Sequence, residues 1–239
     1  MARSTSQRFA LDSTFKTRRF SSPRRIVRNL IIGICVLGCT ALFWQLFSQR
    51  RDIVSRLSIA TAYPALLLTT IALLLGPWNV LRRHPNPISF DLRRDVGIWA
   101  GATALLHTIV GLNVHLRGRP WLYFVDENSR LRHDLFGFGN YTGLISALVF
   151  LLLLAISNDL MLRRLGSRKW KSLQRWTYAA AALTVGHAVA YQLIEKRQIL
   201  YQVLLWGATA TVAAAQFAGW RTIKTVTSRS LVFAQRAPK

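Results

Sequence analysis

Six apolar stretches divide the chain: Asn29–Phe47, Leu57–Trp78, Val96–Leu116, Tyr141–Leu162, Leu173–Ile194 and Ile199–Trp220. A hydrocarbon core roughly 30 Å thick is crossed by about 20 helical residues, so each stretch is long enough to span a bilayer. Helices satisfy their own backbone hydrogen bonds, which lipid cannot do. The expectation is an all-α integral membrane protein, a bundle of six transmembrane helices. It comprises a basic tail (1–28), the helical domain (29–220) and a second basic tail (221–239). The third and fifth stretches hold His, Thr and many small residues, and are expected to face protein or a cofactor rather than lipid.

The net charge of +23 would suit a nucleic-acid binder, but 51% of the chain is apolar and the charges are segregated from it. With the N-terminus inside, 23 Lys and Arg fall on one side of the membrane and 9 on the other. The positive-inside rule therefore puts both termini in the cytoplasm and accounts for the basic excess without nucleic acid. Trp44, Trp78, Trp121, Trp170, Trp176 and Trp220 lie near the ends of stretches, as in an aromatic belt. The Arg- and Ser-rich start reads as an uncleaved signal anchor, a composition it shares with organelle transit peptides. A bacterial inner membrane is the expected location, with an organelle membrane as the alternative. The outer loop from Arg117 to Asn140, with Asp126 and Glu127, is the expected contact for an extracytoplasmic partner.

Among five histidines, two lie deep in stretches, where an ionisable residue is costly and therefore a functional candidate. His107 follows Asp95 by 12 residues and His187 follows Arg175 by 12. Both are thus roughly 18 Å from the same side, on parallel helices. Two neutral imidazoles at one depth can clamp a metal between them, as a porphyrin iron requires. Ala100, Thr103, Ala104 and Gly111 share the face of His107, and Ala180, Thr184 and Ala190 that of His187, leaving room for a flat macrocycle. On the residues alone a second reading stands beside this one: each imidazole hydrogen-bonds a neighbouring helix, and the small residues merely let helices pack. His115 reads as a solvated helix-end residue, His84 and His133 as loop residues, and Cys35 and Cys39 as packing residues. No zinc, phosphate-loop or dinucleotide motif has a supporting context.

The segments Arg93-Arg94-Asp95-Val96-Gly97-Ile98-Trp99, ending eight residues on at His107, and Leu165–Tyr178 followed by His187 resemble the signatures of the ferric-reductase-like transmembrane family. The resemblance covers about Leu57 to Ile194 and is closest to the MsrQ/YedZ branch, haem-binding membrane subunits of periplasmic methionine-sulfoxide reductase systems. It implies a six-helix protein with one haem b, His107 and His187 as axial ligands of its iron, and electron transfer to an extracytoplasmic oxidoreductase. It also implies FMN. The family often has a histidine where Gln174 stands, so a second haem is not expected. Relatives that reduce iron or oxygen carry a C-terminal flavin and nicotinamide domain, whereas only 221–239 follow the sixth stretch here. A separate donor, a flavin reductase or a quinol, is therefore expected, and the basic inner face offers it a docking surface. The alternatives are a quinone-linked or metal-reducing cytochrome b, and a non-redox membrane scaffold.

Overall fold

The structure, a computed structural model, describes residues 23–47, 52–82, 90–115 and 119–236, without the side chains of 90 and 226–236. Most of the N-terminal tail, and with it Arg83, His84, Pro85, Pro87 and Arg117, lie outside the described residues.

Among the described residues seven helices follow one another: α1 (Pro23–Leu46), α2 (Ile53–Leu81), α3 (Phe90–Gly111), α4 (Leu135–Ile156), α5 (Asp159–Gln174), α6 (Trp176–Ile194) and α7 (Ile199–Arg236). A single 3-10 turn (Pro120–Tyr123) and one isolated bridge, Val125 to Leu131, interrupt the segment between α3 and α4. The end of the bundle bearing that segment and the α6–α7 turn is its upper end.

Among the described residues, four helices are long and apolar enough to cross a membrane: α1, α2, α4 and the Ile199–Thr225 part of α7. Their outward faces expose large apolar side chains such as Leu30, Ile34, Leu37, Leu152, Val203 and Phe217, as lipid-facing helices do. The third and fifth stretches form α3 and α6, of 22 and 19 residues, and polar residues including the deep histidines lower their hydropathy.

Local chemistry sets the helix starts. Asp52 caps α2 by accepting from the Ser55 amide at 2.8 Å, and Asp134 caps α4 through the Gly137 amide at 2.7 Å. The fourth apolar stretch does not run on to Leu162. Asn158 accepts from the Met161 amide at 2.8 Å and starts a new helix, so α4 ends at Ile156 and Leu160–Leu162 belong to α5. At the other end of the chain, the segment beyond Trp220 continues α7 to Arg236.

α2 is the packing hub, against α1, α3 and α7, while α4 pairs with α6 and meets α3. An aromatic cluster joins α1, α2 and α7: Phe43 stacks on Tyr63, and Phe47 on Tyr201, each with ring centres 4.6 Å apart. Near the lower end, Asp95 of α3 is fully buried and accepts from both Arg25 and Arg28 of α1. One carboxylate thus ties the thinly packed first helix to the bundle. Pro77 has no amide to give the Leu73 carbonyl four residues back. Gln216 of α7 supplies the missing donor at 3.0 Å.

Candidate functional site

α3 and α6 bring His107 and His187 together, with ring centres 6.1 Å apart and ring planes at 73°. Each imidazole is fixed from behind. Nδ1 of His107 lies 2.8 Å from the Ser58 carbonyl of α2, and Nδ1 of His187 lies 2.8 Å from the Gly139 carbonyl of α4. A carbonyl only accepts, so both Nδ1 atoms carry the hydrogen and donate it. In the neutral ring the other nitrogen, Nε2, then keeps its lone pair. The two readings left open by the sequence are therefore compatible: hydrogen bonding to a neighbouring helix is what frees each Nε2.

Gly143 makes the α4–α6 approach possible, since a β-carbon there would lie 2.5 Å from His187 Nδ1. Both histidines line one cavity of about 190 Å³, together with Ser58, Ala104, Gly111, Gly143, Ala147 and Thr184. Ala104, Gly111 and Thr184 are thus where the sequence pattern expects small cavity-lining residues. Ala100, Thr103, Ala180 and Ala190 are buried but line helix seams instead. Ala100 packs with Leu68, Ala72 and Val96, and the Ala180 carbonyl accepts from Ser146 at 2.9 Å. Thr103 bonds the Trp99 carbonyl of its own helix, and Ala190 packs on Gly139.

Tyr63, Tyr191, Glu195 and Arg197 also line the cavity and have no counterpart in the sequence reading. His115 is exposed just past the end of α3, as expected of a solvated helix-end residue, and it also lines the cavity. α3 stops at Gly111, and the following turn carries His115 back over the cavity, its amide donating to Tyr123 Oη at 2.8 Å. It stands 3.6 Å from Glu195, which stands 3.8 Å from Arg197. The turn that delivers Arg197 is a Schellman motif: the Lys196 amide reaches the Leu193 carbonyl, and the Arg197 amide that of Gln192. Aromatic rings run from His187 to this upper mouth. Tyr191 lies 4.9 Å from His187, and His115 lies 6.4 Å from Tyr191 and 5.9 Å from Phe136. Tyr191 Oη donates to Asn140 at 2.7 Å, and Asn140 donates to the Tyr123 carbonyl at 3.2 Å, which locks the upper segment onto the site.

Gln174 is not in the cavity; its amide donates to Ser157 Oγ at 3.2 Å near the lower end. Cys35 and Cys39 are free thiols on α1, away from the cavity lining. In the upper segment Asp126 accepts from the Asn128 and Arg130 amides, so its carboxylate is engaged in its own turn. Among the described residues no group of three His, Cys, Asp or Glu side chains is placed to hold a metal ion. What the site offers is two close imidazoles, each with Nε2 left free by its Nδ1 bond, on the wall of one cavity.

The chain is similar to the protein-methionine-sulfoxide reductase heme-binding subunit MsrQ of Pectobacterium atrosepticum, with 27% identity over 182 residues, 73% of this chain and 86% of that protein. The family model described as ferric reductase like transmembrane component matches residues 54–185, from the start of α2 to within two residues of His187. That match takes in more than half of the chain, including α2, α3, α4 and the first part of α6, and the chain belongs to the ferric reductase like transmembrane component family.

Proposed function

We propose that the chain is a haem-binding membrane subunit that passes electrons to an extracytoplasmic oxidoreductase, a methionine-sulfoxide reductase being the acceptor that its MsrQ relative favours. The observation that carries the reading is the paired histidines, each with Nδ1 donating to a backbone carbonyl and Nε2 left to bind. A metal held by two protein ligands alone needs its remaining ligands from elsewhere, and a porphyrin brings four. Neither cysteine lines the cavity, which favours a non-covalent haem b.

In this reading His107 and His187 are the residues that would hold the haem iron through Nε2. Their carbonyl partners fix ring orientation and raise the basicity of the liganding nitrogens. Bound haem supplies a one-electron ferric–ferrous couple. The apolar walls, with Ala104, Gly111, Gly143 and Thr184 holding the width, keep water from the metal. Arg197, Glu195 and His115 give the cavity a polar edge at its upper mouth, where the carboxylates of an amphipathic macrocycle would meet charge.

The same reading takes α1, α2, α3, α4, α6 and α7 as six spans with both termini in the cytoplasm of a bacterial inner membrane. Residues 1–28 and 221–239 are its basic flanks. The site then lies in the outer half of the bilayer. Electrons come from a separate flavin reductase or quinol.

The test is a dithionite-reduced minus oxidised absorption spectrum of the detergent-purified protein, with haem counted per chain. The expected result is a low-spin b-type spectrum and one haem. His107→Ala and His187→Ala each abolish it, and Gln174→Ala leaves it unchanged. A colourless protein from haem-replete cells would reject the reading and leave a non-redox scaffold.

A further inference from the structure

We propose that α5 is a docking element for the anionic headgroups of phospholipids. α5 is not a straight helix. Gly166 adopts φ 71° and ψ 158°, and the chain doubles back there. Trp170 Nε1 returns to donate to the Ile156 carbonyl at 2.9 Å, and Gln174 returns to Ser157. The result is a helical hairpin folded over the lower end of α4, with buried Trp170 as its foot.

Its outer surface is cationic. Arg163, Arg164, Arg168, Lys169, Lys171 and Arg175 are all exposed, and none forms an ion pair with an acidic residue among the described residues. The one acidic residue of the hairpin, Asp159, is taken by Arg94 of α3. Exposed Leu160, Leu173 and Trp176 lie among the cations. Apolar side chains beside Lys and Arg on a helical element are the composition that settles at a headgroup boundary.

Connection lengths hold the hairpin there. Two residues, Ser157 and Asn158, join it to the end of α4, and Arg175 alone joins it to α6. Legs of seven and eight residues rise at most about 10–12 Å. That is close to the screening distance of about 8 Å at physiological salt, so the bilayer surface is the polyanion always within reach. Membrane sidedness requires only a number of cations near span ends. It does not require them exposed and without acidic partners on a folded hairpin with an aromatic foot.

Native mass spectrometry of the full-length protein in mild detergent, with added cardiolipin or phosphatidylcholine, tests this. The expected result is about tenfold preferential retention of cardiolipin, falling to within about twofold of phosphatidylcholine in the variant R163Q/R164Q/R168Q/K169Q. R163K/R164K/R168K keeps the preference, as does R221Q/K224Q, which neutralises exposed cations on α7. Indifference to headgroup charge in the wild type, or equal loss in R221Q/K224Q, overturns the proposal. So does retention unchanged in the glutamine variant while capture of an acidic soluble protein falls. If the glutamine variant does not fold, hydrogen exchange decides: amides of 163–171 are protected in cardiolipin nanodiscs and not in phosphatidylcholine ones, and equal protection overturns the proposal. Haem content is measured in each sample, so a failed haem assignment and a failed lipid assignment are read separately.

Discussion

Gly143 of α4 faces the imidazole of His187 so closely that a β-carbon would stand 2.5 Å from Nδ1 and 3.0 Å from Cε1. The obstructed atom is the one that donates to the Gly139 carbonyl, one turn earlier on the same helix. Gly143→Ala must therefore push the ring out of its seat. The expected outcome is loss of bound haem by tenfold or more, with helix content and gel-filtration behaviour retained. Gly207, which has nothing within 4 Å of an added β-carbon, is the control: Gly207→Ala keeps its haem. Full haem occupancy in Gly143→Ala would separate the His187 seat from cofactor binding.

Asp95 is buried between the guanidinium groups of Arg25 and Arg28. Removing one partner of a buried ion pair leaves uncompensated charge, typically at about 3–5 kcal/mol. Asp95→Ala is expected to destabilise the protein in detergent on that scale, with α1 released first. Protease sensitivity in α1 should rise before global unfolding, because few other contacts hold α1 to α3. A cycle with Arg25→Ala and Asp95→Ala should show strong coupling, since the double variant no longer strands the Arg25 charge.

Much of this architecture is legible in apolar run length, because a helix in lipid has few alternatives. The matched positions of His107 and His187 follow from counting residues at a fixed rise. What periodicity misses is set by single polar side chains. Asn158 ends the fourth span six residues before apolarity does, since a cap outweighs three more apolar residues. That the exposed His115 also lines the cavity could not be read, because this depends on where α3 stops and on a hydrogen bond to a tyrosine in another segment. The small residues around the histidines divide in the same way. A helical wheel puts Ala100 and Ala104 on one side, but only the neighbouring helices decide which faces a seam and which a cavity. Arg197 enters the site through a left-handed residue at Lys196 that no motif announces.

That residue gives a stabilising prediction. Lys196 holds φ 46° at the left-handed position of the Schellman motif. A left-handed L-residue costs about 1–2 kcal/mol, and glycine adopts it freely while losing about 0.5–1 kcal/mol of unfolded-state entropy. Lys196→Gly is therefore expected to raise stability by about 0.5–1 kcal/mol, read as an upward shift in thermal midpoint. Lys196→Val should lower it, because a β-branched residue tolerates that backbone poorly.

The bond from Gln216 to the Leu73 carbonyl exists because Pro77 cannot make it. In the wild type, Gln216→Leu leaves that carbonyl without its donor inside an apolar bundle, at about 1–3 kcal/mol. Pro77→Ala restores an amide one turn along α2, so the carbonyl regains a partner within its own helix. The cost of Gln216→Leu should then shrink to about 0.5–1 kcal/mol, what remains being the exposed bond that Gln216 accepts from Tyr178 Oη at 3.3 Å. The four stabilities of the cycle, measured by denaturation in one detergent, check this. An equal cost of Gln216→Leu in both backgrounds would mean that Gln216 supports α7 packing for reasons unrelated to the proline.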